Sequence, residues 1–182
     1  MKRKGDSRKY LRNVQVIDWN TIIKEHGPAV WQTAYRLLGN EADAADCFQE
    51  TFVSALGFCR REKVRNFSAL LARLTTARAI DQLRRRFRQA QSKTDFIDCS
   101  IVESEQAYPD QQAEQQELVE KVRQSLSTLP PQEAQVFCLR YLNDMSYRQI
   151  AKQLGITTNS AGVLLHRART RLRESAELSV WK

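Results

Sequence analysis

Apolar side chains recur three and four positions apart along most of this chain, the spacing that lines one face of an α-helix. The first such stretch, DWNTIIKEHGPAVWQTAYRLLGN (18–40), predicts a short helix, a break at Gly27-Pro28 and a second helix ending at Gly39. Pro28 suits a first helical turn, and Gly39 suits a helix C-terminus. Asn40 is placed to cap the next helix, EADAADCFQETFVSALGF (41–58), whose early acids sit where the helix dipole favours them. Ala45, Phe48, Phe52 and Ala55 form its expected apolar face. Asp43, Asp46 and Glu50 lie on the polar side, where the plain reading is a solvated surface.

The helix that follows, FSALLARLTTARAIDQLRRRFRQ (67–89), changes character halfway. Phe67, Leu70, Leu71 and Leu74 make one stripe; Ile80, Leu83 and Phe87 make another on roughly the opposite side. Continuing the first stripe meets Arg78, Asp81, Arg85 and Arg88, with Arg84 beside them. The first half therefore buries the face that the second half presents outward. A lone Asp cannot neutralise so many arginines, and the planar guanidinium fork suits phosphates and base edges. Nucleic-acid contact is the expectation for that half.

After residue 117, LVEKVRQSLSTLPPQEAQVFCLRYLND (118–144) reads as two amphipathic helices split at Leu129-Pro130-Pro131. Ser146 then caps a short helix carrying Ile150, Ala151 and Leu154, Gly155 turns the chain, and another helix begins at Thr157 or Thr158. Ala161, Leu165, Ala168 and Leu172 fall at i, i+4, i+7 and i+11, the buried stripe of that last helix. Two helices joined through a glycine turn, the second amphipathic, form a helix-turn-helix, whose second helix reads a DNA major groove. Its outward face holds Asn159, Val163, His166, Arg167, Thr170 and Arg173. Val163 admits two readings there, contact with a thymine methyl or an unremarkable surface position. His166 has no second ligand at metal-binding spacing and reads as a neutral contact residue.

Charge sharpens the division. The 182 residues carry a net charge of +8, a balance that attracts polyanions. Between Arg60 and Arg88 ten Arg or Lys face only Glu62 and Asp81, whereas between Gln89 and Glu117 seven acids face Lys93 alone. That acidic stretch is rich in Gln and Ser and lacks periodicity, so it reads as a flexible linker with a helix starting near its end. The fold class expected is all-α: two small helical domains joined by an acidic linker, the C-terminal one a helix-turn-helix. The boundaries are a basic tail over 1–17, a first domain over 18–89, the linker over 90–116 and a second domain over 117–182. The tail reads as a solvated end or a loose phosphate contact.

Other chemistries are poorly served. The hydrophobic fraction of 42% suits a core, but no apolar run approaches the roughly 20 residues of a membrane span, and no secretory signal stands at residue 1. Cys47, Cys59, Cys99 and Cys138 lack metal-ligand spacing and read as reduced thiols of a cytoplasmic protein. Clustered acids for metal-assisted hydrolysis, a glycine-rich phosphate loop and a nucleophile–base pair are not recognisable, so neither enzymatic activity, a cofactor nor a metal is expected.

Three blocks, RLLGNEADAADCFQETFVSAL, FSALLARLTTARAIDQLRRR and LSTLPPQEAQVFCLRYLNDMSYRQIAKQLGI…HRARTRLR, resemble the sigma-70 family of RNA polymerase sigma factors, in its compact extracytoplasmic-function group. Asp46, Gln49 and Glu50 match the family's D-x-x-Q-E, which implies docking on the clamp coiled coil of the largest polymerase subunit. Asp81, Arg84 and Arg85 match its D-x-x-R-R, which implies contact with the promoter −10 element. The resemblance extends that site to Arg78 and Arg88, and makes Lys63–Ser68, with Lys63, Arg65 and Asn66, a candidate for holding a flipped base. The helix-turn-helix would read the −35 element through Asn159, Ser160, Val163, His166, Arg167 and Thr170, and would also touch the polymerase flap. An anti-sigma factor is a further implied partner.

The chain departs from the family at Leu70, where Trp is usual, and at Ala77, where Asn is usual. In the last helix Ser160-Ala161-Gly162-Val163-Leu164 replaces a segment that carries two more cations. Direct readout is thereby expected to lean on Val163, His166 and Arg167. A helix-turn-helix regulator that never engages polymerase is the alternative reading, and it leaves the first domain without a role.

Overall fold

Asp18 starts the first helix. Its carboxylate accepts hydrogen bonds from the backbone N–H groups of Asn20 and Thr21, at 3.1 and 3.3 Å, and from the Thr21 hydroxyl. The Thr21 contacts hold that carboxyl below its ordinary pKa. The computed structural model describes residues 17–94 and 110–176, and every regular element among them is helical. These are α1 (Trp19–Leu38), α2 (Glu41–Cys59), α3 (Phe67–Thr94), α4 (Asp110–Thr128), α5 (Pro131–Tyr141), α6 (Tyr147–Leu154) and α7 (Thr158–Ala176). The basic tail, the centre of the acidic linker and Cys99 lie outside the described residues.

The break expected at Gly27-Pro28 is absent: α1 runs unbroken through Pro28. An interior proline costs a helix about 3 kcal/mol. Here the buried positions Ile22, Val30, Thr33, Ala34 and Leu37 stay in one helical phase across it, so both halves bury the same face. Gly27 is buried as well, with the Phe48 ring 3.6 Å from where a Cβ would stand, an ordinary packing distance. The α1 helix ends at Gly39 in the left-handed region, φ +80°.

The Asn40 side chain caps α2, accepting from the Asp43 N–H at 2.8 Å. The buried face of α2 is rotated from the expected one: Ala44, Cys47, Thr51 and Ala55 are fully buried, while Ala45, Phe48 and Phe52 are only partly covered. Small residues lie deepest because α1 and α3 approach closely, and the phenyl rings fill the edge. The Phe48 and Phe52 rings lie with centroids 4.9 Å apart and planes tilted by 52°, and Trp31 meets Phe48 edge-on.

Both stripes of α3 are buried, against different neighbours. Leu70 and Leu71 join Ile22, Val30 and Ala55 in one core cluster, with Phe67 edge-on to Trp19 at 6.1 Å. Ile80 and Leu83 belong to a second cluster that runs into the C-terminal half through Leu126, Leu129, Val136, Phe137 and Leu139. The two expected domains thus pack on each other along α3, through α4, α5 and α6. The gap between them is also narrower than the 90–116 segment, since α3 continues to Thr94 and α4 begins at Asp110. The Gln-, Glu- and Ala-rich sequence before Leu118 favours helix, and Glu117 pairs with Lys121 at 2.8 Å.

In the C-terminal half, Pro131 occupies the first turn of α5. Ser146 and Gln149 form a reciprocal capping box at the start of α6, and Gly155 ends it at φ +66°. The Thr157 hydroxyl accepts from the Ser160 N–H at 3.0 Å and so opens α7. None of the helices among the described residues is long and apolar enough to cross a membrane.

Candidate nucleic-acid and protein interfaces

The outward face of α7 is set by its buried side. Ala161, Leu165, Ala168 and Leu172 are buried, which fixes the rotation of α7 about its axis. Asn159, Val163, His166, Arg167, Arg169 and Arg173 are then exposed, and Ser160 and Thr170 are half-buried. Val163 is 42% exposed with no apolar neighbour required to explain it, and Gly162 beside it faces open space. Thr170 donates its hydroxyl to the His166 carbonyl at 3.1 Å, and the Ser160 hydroxyl bonds that of Thr157. These two are structural hydroxyls in the free chain, whereas Asn159, His166 and Arg167 have unobstructed polar ends.

A support beneath α7 was not read from sequence. Glu133 on α5 is 4% exposed, and its carboxylate lies 3.3 Å from the Arg171 Nε. The approach is an ion pair without hydrogen-bond alignment, so that oxygen stays otherwise unpartnered. The i+3 position in PPQE gave only a weak signal, a helix-start acid, and nothing about its burial.

Asp46, Gln49 and Glu50 are all exposed on one side of α2. With Val53, 71% exposed one turn on, they form a continuous outward face. The structure joins this face to the basic helix: Arg78 of α3 donates to the Glu50 carboxylate and to the Ser54 hydroxyl. Arg78 therefore ties α2 to α3 and is only partly turned to solvent.

The remaining −10 candidates separate into two groups. Asp81, Arg85 and Arg88 are exposed on the outer side of α3, and Lys63 and Arg65 are exposed on the connection before it. Asn66 is exposed too, but its side chain accepts from the Ala69 N–H at 2.9 Å and caps α3. Arg84 stands apart. Its guanidinium donates to the Leu129 carbonyl in the turn between α4 and α5, and its Nε is buried with no acceptor. A cleft of about 280 Å³ lies at the other end of α3, between α1, the start of α3 and the α5–α6 turn, lined in part by Asn66, Ser68, Thr33 and Asn143.

Cys47 and Cys138 are buried, and burial pushes their thiols up to about 11 and about 12; Cys59 is raised by the same cause. Among the described residues no three His, Cys, Asp or Glu side chains gather closely enough to hold a metal ion.

Comparison with known proteins gives the family and the fold. The family model for sigma-70 region 2 matches residues 22–89, and that for sigma-70 region 4 matches residues 120–172. The chain is 30% identical over 156 residues to the ECF RNA polymerase sigma factor SigE of Mycolicibacterium smegmatis, a match covering 86% of this chain and 60% of that longer one. It is 26% identical to the ECF RNA polymerase sigma factor SigW of Bacillus subtilis, covering 84% and 86% of the two chains. In fold it is similar to CnrH, solved with the cytosolic domain of CnrY, at a TM-score of 0.56 and 22% identity over 96% of this chain and 92% of that one. It is likewise similar to the sigma factor RpoE of Bartonella quintana, solved with the anti-sigma factor NepR, at a TM-score of 0.52 and 22% identity over 89% and 98%.

Proposed function

The chain belongs to the sigma-70 family, in its extracytoplasmic-function group, and from that premise we propose that it is a transcription initiation factor that binds core RNA polymerase in the cytoplasm and directs it to particular promoters. It supplies specificity to the polymerase and no chemistry of its own. The exposed α2 face of Asp46, Gln49 and Glu50 is the docking surface for the clamp coiled coil. Lys63, Arg65, Asn66, Arg78, Asp81, Arg84, Arg85 and Arg88 surround the −10 strand as it opens. Asn159, Ser160, Val163, His166, Arg167 and Thr170 lie along the −35 duplex, and the surrounding region 4 surface meets the flap.

One observation carries this reading most strongly. The buried stripe of α7 leaves Asn159, Val163, His166 and Arg167 pointing away from the protein at the end of a glycine-turned helix pair. Asn suits adenine, Arg suits guanine and a valine methyl suits the thymine methyl, so the face has the chemistry of direct readout. The first domain spans residues 18–89 and the second residues 117–182 in this division of labour. The RpoE neighbour was solved with an anti-sigma factor, and a protein of that class is the natural repressor for this chain.

The test is transcription from a library of random upstream sequences by core polymerase with and without the chain. The chain should redirect initiation to a set of start sites sharing two motifs, near −10 and near −35. Identical start sites with and without it would refute the function.

A further inference from the structure

We propose that the polymerase-docking face is carried by two helices: Arg78 and Gln82 of α3 belong to it, and they hold its acidic edge in place. The partner of this face rests on the sigma reading above; the two-helix arrangement rests on the contacts alone.

Buried side chains set the rotation of both helices. Ala44, Cys47, Thr51 and Ala55 of α2 and Leu71, Thr75 and Ala79 of α3 are enclosed, and the Cys47 thiol donates to the Thr75 carbonyl at 3.7 Å. Asp43, Glu50 and Ser54 then stand along the margin of α2 beside α3, adjoining the exposed Asp46 and Gln49. Arg78 and Gln82, one turn apart, stand along the facing margin of α3.

Across this margin α3 reaches onto α2 twice. The Arg78 guanidinium donates to the Glu50 carboxylate from one terminal nitrogen and to the Ser54 hydroxyl from the other. The Gln82 amide donates to one oxygen of Asp43 at 3.1 Å, and the Asn40 amide donates to the other at 2.8 Å. The arginines of α3 are thereby sorted. Arg85 and Arg88 are exposed on the outer side, Arg84 and Arg86 donate to backbone carbonyls of other helices' ends, and Arg78 lies against the docking side of α2.

This placement matters for binding more than for folding. The Glu50 side chain is 62% exposed and that of Arg78 36%, so the pair is open to a partner. An exposed ion pair adds little to stability. On the face, however, it sets a cation beside the acids Asp46 and Glu50, a strip of both signs. Coiled-coil flanks carry both signs as well, so the strip suits the clamp coiled coil that the sigma reading assigns to it. The pair also holds the Glu50 side chain in one position before the partner arrives. Each side chain that must instead be ordered on binding lowers affinity about two- to tenfold.

Core affinity and thermal stability, measured side by side on the full chain, test this. Arg78→Ala should weaken binding to core polymerase about three- to tenfold in a competition assay, with a melting temperature close to that of wild type. Gln82→Ala should act in the same direction and less strongly. Arg78→Lys keeps the charge but reaches only one of the two α2 groups, and it should recover part of the loss. In a Glu50→Gln background the effect of Arg78→Ala should shrink, which a double-mutant cycle reads. Arg78→Ala binding core as tightly as wild type would overturn the proposal. A fall in affinity matched by a fall in melting temperature would overturn it too, since Arg78 would then be an internal brace. Wild type failing to bind core polymerase would defeat the sigma reading itself, and the docking role with it.

Discussion

Arg171, 55% exposed on α7, lies against the carboxylate of Glu133, which is almost wholly buried on α5. The pair fixes how α7 sits on its support, and its two members are unequal. Removing Arg171 strands an acid inside the protein, whereas neutralising Glu133 leaves an arginine that water can reach. Arg171→Ala should cost about 1–3 kcal/mol, the penalty for an unsatisfied buried polar group, and Glu133→Gln distinctly less. Urea denaturation of the two variants checks the order, and equal losses would show that the burial of Glu133 has no energetic consequence.

Gly39 is required twice, by its φ of +80° and by the Arg123 guanidinium seated on it. Gly39→Ala should cost about 1–2 kcal/mol from the backbone alone, with the displaced arginine adding to that. In an Arg123→Ala background the added part should vanish, which a double-mutant cycle reads directly. Gly162, an ordinary helical position facing open space, should behave oppositely: Gly162→Ala should stabilise by about 0.5–1 kcal/mol.

These glycines show what sequence alone conveys. Periodicity located all the helices after α1 and the buried stripe of α7, because a lone amphipathic face fixes helix rotation. It failed at Gly27-Pro28, where local propensity was outweighed by a burial pattern continuous in phase across the proline. It also placed the α2 stripe one residue off, because small residues packed against two neighbouring helices are indistinguishable by hydropathy from exposed alanines. The second stripe of α3 was visible, but not its occupant: periodicity says that Ile80 and Leu83 are covered, never by what. Arg84 was accordingly grouped with Arg85 and Arg88, although it faces Leu129 and they face solvent.

The buried thiols make stability depend on alkaline pH. Burial raises Cys47 to about 11 and Cys138 to about 12 from an ordinary 9.0. Below pH 9 both are protonated in the folded and the unfolded chain, so their contribution is complete. Between about pH 9 and the folded values only the unfolded chain loses these protons, and stability falls by about 1.4 kcal/mol per pH unit for each thiol. Urea unfolding at pH 8 and pH 10 should show a smaller drop for Cys138→Ala than for wild type. Equal drops would mean that the Cys138 thiol ionises in the fold.

Readout by α7 can be separated into its parts on a selected −35 duplex. Arg167→Ala should weaken binding and relax preference at one base pair, at a cost of about 1–3 kcal/mol if the contact is bidentate. Replacing thymine by uracil, position by position, should weaken wild type at one site only. That effect should disappear in Val163→Ala, since the 5-methyl group then has no partner. Wild type and Val163→Ala responding alike to uracil would make Val163 a plain surface residue.

The proposed function turns on whether this chain binds polymerase. Size-exclusion chromatography of the full chain with sigma-free core polymerase at moderate salt, alongside Asp46→Arg, tests it most directly. Wild type should co-elute with core, and the variant, folded as judged by circular dichroism, should elute alone. Wild type eluting alone while still binding duplex DNA would contradict it, and would make the chain a helix-turn-helix regulator that acts without polymerase.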